Sequence, residues 1–397
     1  MTMPQSLPPE CPQNGGVLAL NSGSSSLKFS LYAARGEQAV LEGEAESIGA
    51  AAATFRVHDS EGREIVSETA PLADQQAAIA RIGRLLADRG GAGPTAVGHR
   101  IVHGGPRLRQ PCLIDDAVLA QLEDATPFAP LHIPASLAVI RFAREHFPGA
   151  AQAACFDTSF HATLPQRARL LPLPRALQAE GIERYGFHGL SCESIVHALA
   201  GVLPARLVIA HLGNGASVTA VADGVSIDTS MGLTPTGGVI MGTRSGDLDP
   251  GVLIYLMRAQ GLDADRLEEM VDRHGGLLAI SGVASDVRRL HEAAATNADA
   301  SLALDMFCDS VRKQIVAMMA ALGGADMLVF TGGIGQHDAL VREAICASLG
   351  WAGLRLDAAR NRASEARIEA GDSACGVRVM ATAENAQIAR HTWALAG

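Results

Sequence analysis

Along the chain, short apolar runs alternate with clusters of small polar residues. Residues 17–20 are continuously apolar and end in Asn21-Ser22-Gly23-Ser24-Ser25-Ser26, after which Leu27, Phe29 and Leu31 alternate with other residues. That pattern predicts a strand, a tight loop and a second strand. The layout returns much later: residues 207–210 are apolar, His211-Leu212-Gly213-Asn214-Gly215-Ala216 is a Gly-rich loop, and 217–222 resume a strand pattern. Asp223-Gly224 then predicts a hairpin turn into Val225-Ser226-Ile227. A third apolar run, 327–330, feeds Thr331-Gly332-Gly333-Ile334-Gly335, and 339–349 has helical spacing. A strand that delivers such a turn onto a helix start can face backbone N–H groups towards a phosphate or ribose. Apolar spacing predicts further helices at 75–86, 117–123, 136–146, 262–274, 301–322 and 384–395.

Strand-loop-strand units at the head of two halves predict a duplicated α/β fold. A chain of 397 residues, 48% of them hydrophobic and 19% charged, is long enough for two domains, and the Pro-rich stretch 164–174 marks a connection near their junction. The formal charge of -10 argues against nucleic acid or an anionic membrane as partner, so an anionic substrate would need a local cationic pocket. Seven scattered cysteines without a C-x-x-C predict reduced thiols and a cytoplasmic location. The start of the chain lacks the basic and apolar regions of a leader, and no stretch approaches the ~18 apolar residues of a membrane span.

Neither a G-x-x-x-x-G-K-[ST] loop nor a G-x-G-x-x-G, H-E-x-x-H or G-x-S-x-G motif occurs. ATP, if handled, must be held by several separated loops. The 21–28 loop offers N–H and hydroxyl groups with Lys28 as a point charge, or is simply a hydroxyl-rich turn. Arg100, in Gly98-His99-Arg100-Ile101-Val102-His103-Gly104-Gly105, and Arg244, in Met241-Gly242-Thr243-Arg244-Ser245-Gly246-Asp247, stand among glycines. Each can reach a phosphoryl group without bulky neighbours, or serve as an ordinary ion-pair residue. His188 and His132 lie in turns, where an imidazole can donate to a phosphate oxygen or be only structural. Asp157 can anchor a metal-bound water or an Arg, or cap the next segment; Glu384 can enter a magnesium shell or be a favourable first-turn acid.

Six segments in order, Asn21 to Lys28, Gly98-His99-Arg100 with His103-Gly104-Gly105, Phe187-His188-Gly189, His211 to Gly215, Met241 to Pro250, and Phe330 to Gly335, resemble the signature segments of the acetate kinase family. The resemblance implies two RNase H-like domains of the actin-like ATPase type with a cleft between them: 17–160 joined by the C-terminal helix 384–397, then 161–383, with 1–16 a disordered tail. It implies reversible phosphoryl transfer between ATP and acetate; propionate kinase and an actin- or Hsp70-like ATP-driven protein are the alternatives. Asn21 and Glu384 would arrange Mg²⁺, with Mn²⁺ as a substitute. Arg100, Arg244, His188, His132 and Asp157 would form the transfer site. Lys28, His211, Leu212, Gly213, Asn214, Gly215, Asp286, Val287, Arg288, Gly332, Gly333, Ile334 and Gly335 would hold ATP. Val102, Leu131, Phe187 and Pro235, with Arg100, would receive the acid, and the family resemblance implies a homodimer. Ile133, Leu190, Cys192, Gln336 and His337 depart from the family pattern.

Overall fold

The computed structural model describes residues 15–23, 25–33, 38–89 and 93–397, so the expected tail 1–16 falls, up to residue 14, outside the described residues. Two compact units are formed, one reaching to Ser159 and taking in Ala383–Gly397, the other Phe160–Thr382.

The first unit is built on β1 (Gly16–Ser22), β2 (Ser26–Ala33), β3 (Ala39–Glu46), β4 (Ala53–Asp59), β5 (Glu64–Ala70), β6 (Ala96–Ile101), β7 (Cys112–Leu113) and β8 (Ala151–Phe156). They form one sheet in the order β5-β4-β3-β2-β1-β6-β8-β7. Strands β1 to β3 pair antiparallel, whereas β6 and β8 run parallel to β1. Because side chains alternate along a strand, Leu18, Leu20 and Val97 face one way and join Ile79, Ile82, Val139 and Ala143 of the helices Gln75–Asp88 and Ile133–His146 in a core. Ala19, Asn21, Gly98, Arg100 and Cys155 face the other way, towards the C-terminal helix Glu384–Ala396. A Cβ at Gly98 would lie 2.2 Å from Thr392 Oγ1 of that helix, so the close approach requires glycine.

The second unit holds β9 (Arg206–Leu212), β10 (Ala216–Ala222), β11 (Val225–Thr229), β12 (Met327–Thr331) and β13 (Gly376–Val379), in the order β11-β10-β9-β12-β13. Its first three strands are antiparallel and the last two parallel to β9. This repeats the order and directions of β3-β2-β1-β6-β8, so the five-strand core occurs twice. Asp223 and Gly224, at φ 49° and 83°, make the turn between β10 and β11. Leu207, Ile209 and Val329 pack on Cys192, Ile195 and Leu199, a cluster reaching through the helix Gly189–Ala198 to the residue after it.

Candidate active site

In each unit some of the singled-out loops, those after β1 and β6 in the first and after β9 and β12 in the second, lie at the carboxyl ends of parallel strands, where open α/β sheets bind ligands. In the first, Asn21 ends β1, Arg100 ends β6 and Asp157 follows β8. Strand register puts Lys28 directly opposite Asn21. One hydrogen-bonded chain joins four of these side chains. Asn21 Nδ2 donates to Glu384 Oε2 at 2.8 Å, and Arg100 Nη1 donates to Asn21 Oδ1 at 3.1 Å. Both Asp157 oxygens accept from Arg100, with Nη2 to Oδ2 at 2.7 Å. Glu384 contributes because it is the first residue of the terminal helix, whose packing on β1, β6 and β8 brings its N-terminus to the strand ends.

Burial opposes the Arg100 charge, but the Asp157 and Glu384 carboxylates outweigh it and raise the guanidinium above its ordinary range. Burial also pushes the Asp157 carboxyl up, against the pull of Arg100 and with repulsion from Glu384. These shifts pull the pair in opposite senses. Two carboxylate oxygens accepting from one guanidinium is ion-pair geometry, so we take Asp157 as ionised. The chain then carries two carboxylates against one cation and suits a further positive charge.

In the second unit His188 precedes the helix Gly189–Ala198 in the left-handed region, at φ 59°. A non-glycine residue there needs its surroundings to hold it. His161 supplies part of this, with Nε2 3.0 Å from the Phe187 carbonyl oxygen and Nδ1 2.9 Å from Ser226 Oγ. Ser217 Oγ lies 2.9 Å from His188 Nδ1. With that hydroxyl donating, the His188 proton sits on Nε2. The His188 and His211 rings stack at 4.3 Å, and His211 Nδ1 is 2.8 Å from Ser191 Oγ. Gly215 lies close to His188 and Arg244: a Cβ there would lie 3.0 Å from His188 Nε2 and 3.3 Å from Arg244 Nη1. Arg244 Nη1 donates to the Pro235 carbonyl at 3.3 Å.

The Gly332–Gly335 turn leaves β12 beside the end of β9. Gly332, at φ 77°, has its Cα so close to Leu212 that a Cβ would meet the Leu212 oxygen at 2.6 Å. Asp286 caps the helix Val287–Ala294, accepts from Arg288 N at 3.0 Å and pairs with the exposed Arg288 guanidinium, which holds the Asp286 carboxyl below its usual range. His132 and Leu131 stand at the entry of the helix Ile133–His146, outside the Glu384 to Asp157 chain. Val102 and Phe187 are buried and Leu131 is exposed. Ser217 and Ser191, which orient the two imidazoles, carry no signal in the sequence beyond alternation within β10 and a place in the turn after His188.

A five-strand core present twice, each copy with glycine loops at its parallel strand ends, defines an α/β protein of the actin-like ATPase fold. Residues 16–390 match the acetokinase family model, and the chain belongs to that family. It is 41% identical to an acetate kinase of Chromobacterium violaceum, over 97% of this chain and 99% of that one. Among solved structures it is similar to a propionate kinase from Francisella tularensis (TM-score 0.89, 35% identity, 96% of this chain and 100% of that one). Porphyromonas gingivalis acetate kinase is another such neighbour (TM-score 0.84, 35% identity, 96% and 99%).

Proposed function

We propose that this chain is an ATP-dependent acetate kinase, transferring a phosphoryl group reversibly between ATP and acetate. The observation that carries the reading is the Arg100 guanidinium fixed by Asp157 and Asn21 at the carboxyl ends of β1, β6 and β8. A carboxylate oxygen attacks the γ-phosphorus in line; the new P–O bond forms as the bond to the β-phosphate bridging oxygen breaks, and ADP leaves. Acetate is ionised at neutral pH, so no general base is required, and the work is alignment and charge neutralisation. Arg100 and Arg244 donate to the phosphoryl oxygens, Asp157 orients Arg100, and His188 donates through Nε2. His211 to Gly215, Asp286 to Arg288 and Gly332 to Gly335 are assigned to ATP, with Lys28 a cation for its phosphates. Val102, Leu131, Phe187 and Pro235 are assigned to the acid, and His132 to the transfer site.

Among the described residues no group of three or more His, Cys, Asp or Glu could hold a metal. Asn21 and Glu384 nevertheless offer the hard oxygen donors that suit Mg²⁺, which takes one or two protein ligands and completes its shell with nucleotide phosphates and water. When bound with the nucleotide, Mg²⁺ neutralises phosphate charge. Two further assignments belong to the same reading. The helix Pro250–Gln260 has no buried residue and exposes Val252, Ile254, Tyr255 and Met257, which supports a homodimer covering that face. Light scattering tests it: Tyr255→Glu should shift a dimer to a monomer, and a monomeric unsubstituted protein would remove the assignment. Six free cysteines among the described residues suit the reducing cytoplasm.

Trapping acyl phosphate as hydroxamate, with ATP, Mg²⁺ and acids of one to four carbons, tests the activity. Acetate should give the highest specificity constant. Propionate should follow, because one methylene is worth only about 1–3 kcal/mol. No hydroxamate from any acid would refute the proposal, and a preference for propionate would replace the substrate.

A further inference from the structure

Arg342 lies in the helix Ala339–Cys346 and is fully buried, at 0% exposure. All five of its N–H bonds end on neutral oxygens. Nε donates to Asn361 Oδ1 at 2.8 Å, and Nη2 to the Asn361 carbonyl at 2.8 Å and Ser364 Oγ at 2.9 Å. Nη1 divides its two hydrogens between the carbonyls of Gly335 and Gln336, both at 2.9 Å. Asn361 is itself buried and fixed, since its Nδ2 donates to the Ala339 carbonyl at 2.8 Å. Burial lowers the Arg342 pKa, with Asp338 and Cys346 acting in the opposite sense.

A buried guanidinium without a hydrogen-bonded carboxylate is costly, and an apolar side chain would fill the space more cheaply. What Arg342 supplies is geometric. The short helix Gly332–His337 ends in carbonyls that its own turn cannot satisfy, and a planar fork can hold two of them at a fixed separation. Gly335, the last glycine of the turn that leaves β12, is buried, and the fork pins its carbonyl from behind, while the open side of the turn lies at Gly333. Gly333 is exposed, and a Cβ there would meet nothing within 4 Å.

We propose that Arg342 is a positioning residue for nucleotide binding: it clamps the carbonyls of Gly335 and Gln336 and so holds the Gly332–Gly335 turn in shape for the adenosine part of ATP or ADP. The inference rests on the assignment of that turn to nucleotide. A lysine keeps the charge but cannot reproduce the fork, whereas Ser364→Ala removes a single bond distant from the turn.

Calorimetric titration of the purified protein with ADP, together with the KM for acetate, tests this. Arg342→Lys should weaken ADP binding about tenfold, roughly 1.4 kcal/mol, and leave the acetate KM within about twofold. Ser364→Ala should shift ADP in the same direction by less, and carries the test if the lysine variant does not fold. Unchanged ADP affinity in the variants that fold, or an acetate KM that rises in step with ADP dissociation, would overturn the clamp. Gly333→Val separates the two claims by filling the open side of the turn without strain. If it leaves ADP binding intact, the turn is not the nucleotide loop; if it weakens ADP while the Arg342 and Ser364 variants do not, the clamp alone fails.

Discussion

Arg100 is held on two sides, and one of its partners is itself fixed. Asp157 takes one edge of the guanidinium through both carboxylate oxygens, Asn21 takes Nη1, and Glu384 fixes Asn21 in turn. Lysine at this position would keep the charge and lose the fork. Arg100→Lys should therefore fall with Arg100→Ala, well below the unsubstituted kcat, and a lysine enzyme of near-normal turnover would show that charge alone suffices. Asp157→Asn keeps the shape but withdraws the anion that holds Arg100. Its kcat should drop about tenfold or more with ATP affinity little changed, measured by initial rates against direct nucleotide titration. A variant that lost ATP binding and kept kcat would place Asp157 on the nucleotide instead.

At the scale of elements, the terminal helix Glu384–Ala396 carries Glu384 to the strand ends, and Gly98 lets it approach β6. Gly98→Val should displace that helix, cost about 1–3 kcal/mol of stability by overpacking, and lower kcat because Glu384 moves with it. Thermal melts and rates should fall together; a lower melting temperature with full turnover would detach the helix from catalysis. The glycine and serine clusters were legible because they fall where strands stop, and their recurrence announced two cores. Strands β3 to β5 were not: Leu41-Glu42-Gly43-Glu44-Ala45-Glu46 carries three glutamates, and pairing with Ser26 to Leu31 on one side and Thr54 to Asp59 on the other makes it a strand. The helix Pro250–Gln260 is apolar nearly all round and none of its residues is buried, so periodicity had nothing to report. The helix expected at 301–322 begins earlier, at Ala298, because Asn297 accepts from the N–H groups of Asp299 and Ala300. Arg100 and Asp157 were visible as residues, but their pairing depends on the register of β6 with β8. Arg342 was invisible, because nothing in its flanking sequence distinguishes it from an exposed helical arginine.

For the whole molecule, each core buries a neutral histidine, His99 in the first unit and His161 in the second. Burial holds each pKa down to about 4, against an ordinary value of about 6.5. Between those values the unfolded chain binds protons that the folded one refuses. Stability from this source is therefore complete above about pH 6.5 and is lost as pH falls towards 4, on the order of 3 kcal/mol per histidine. Urea unfolding should show a lower midpoint at about pH 5 than at pH 7.5, and equal midpoints would contradict neutral burial. The proposed function requires both Arg100 and Arg244 to neutralise the phosphoryl group in transfer. Its most direct test is the kcat of Arg100→Ala and Arg244→Ala beside their affinities for ATP. The account predicts turnover lower by about a hundredfold or more in each with ATP affinity nearly retained, and wild-type turnover in both would contradict it.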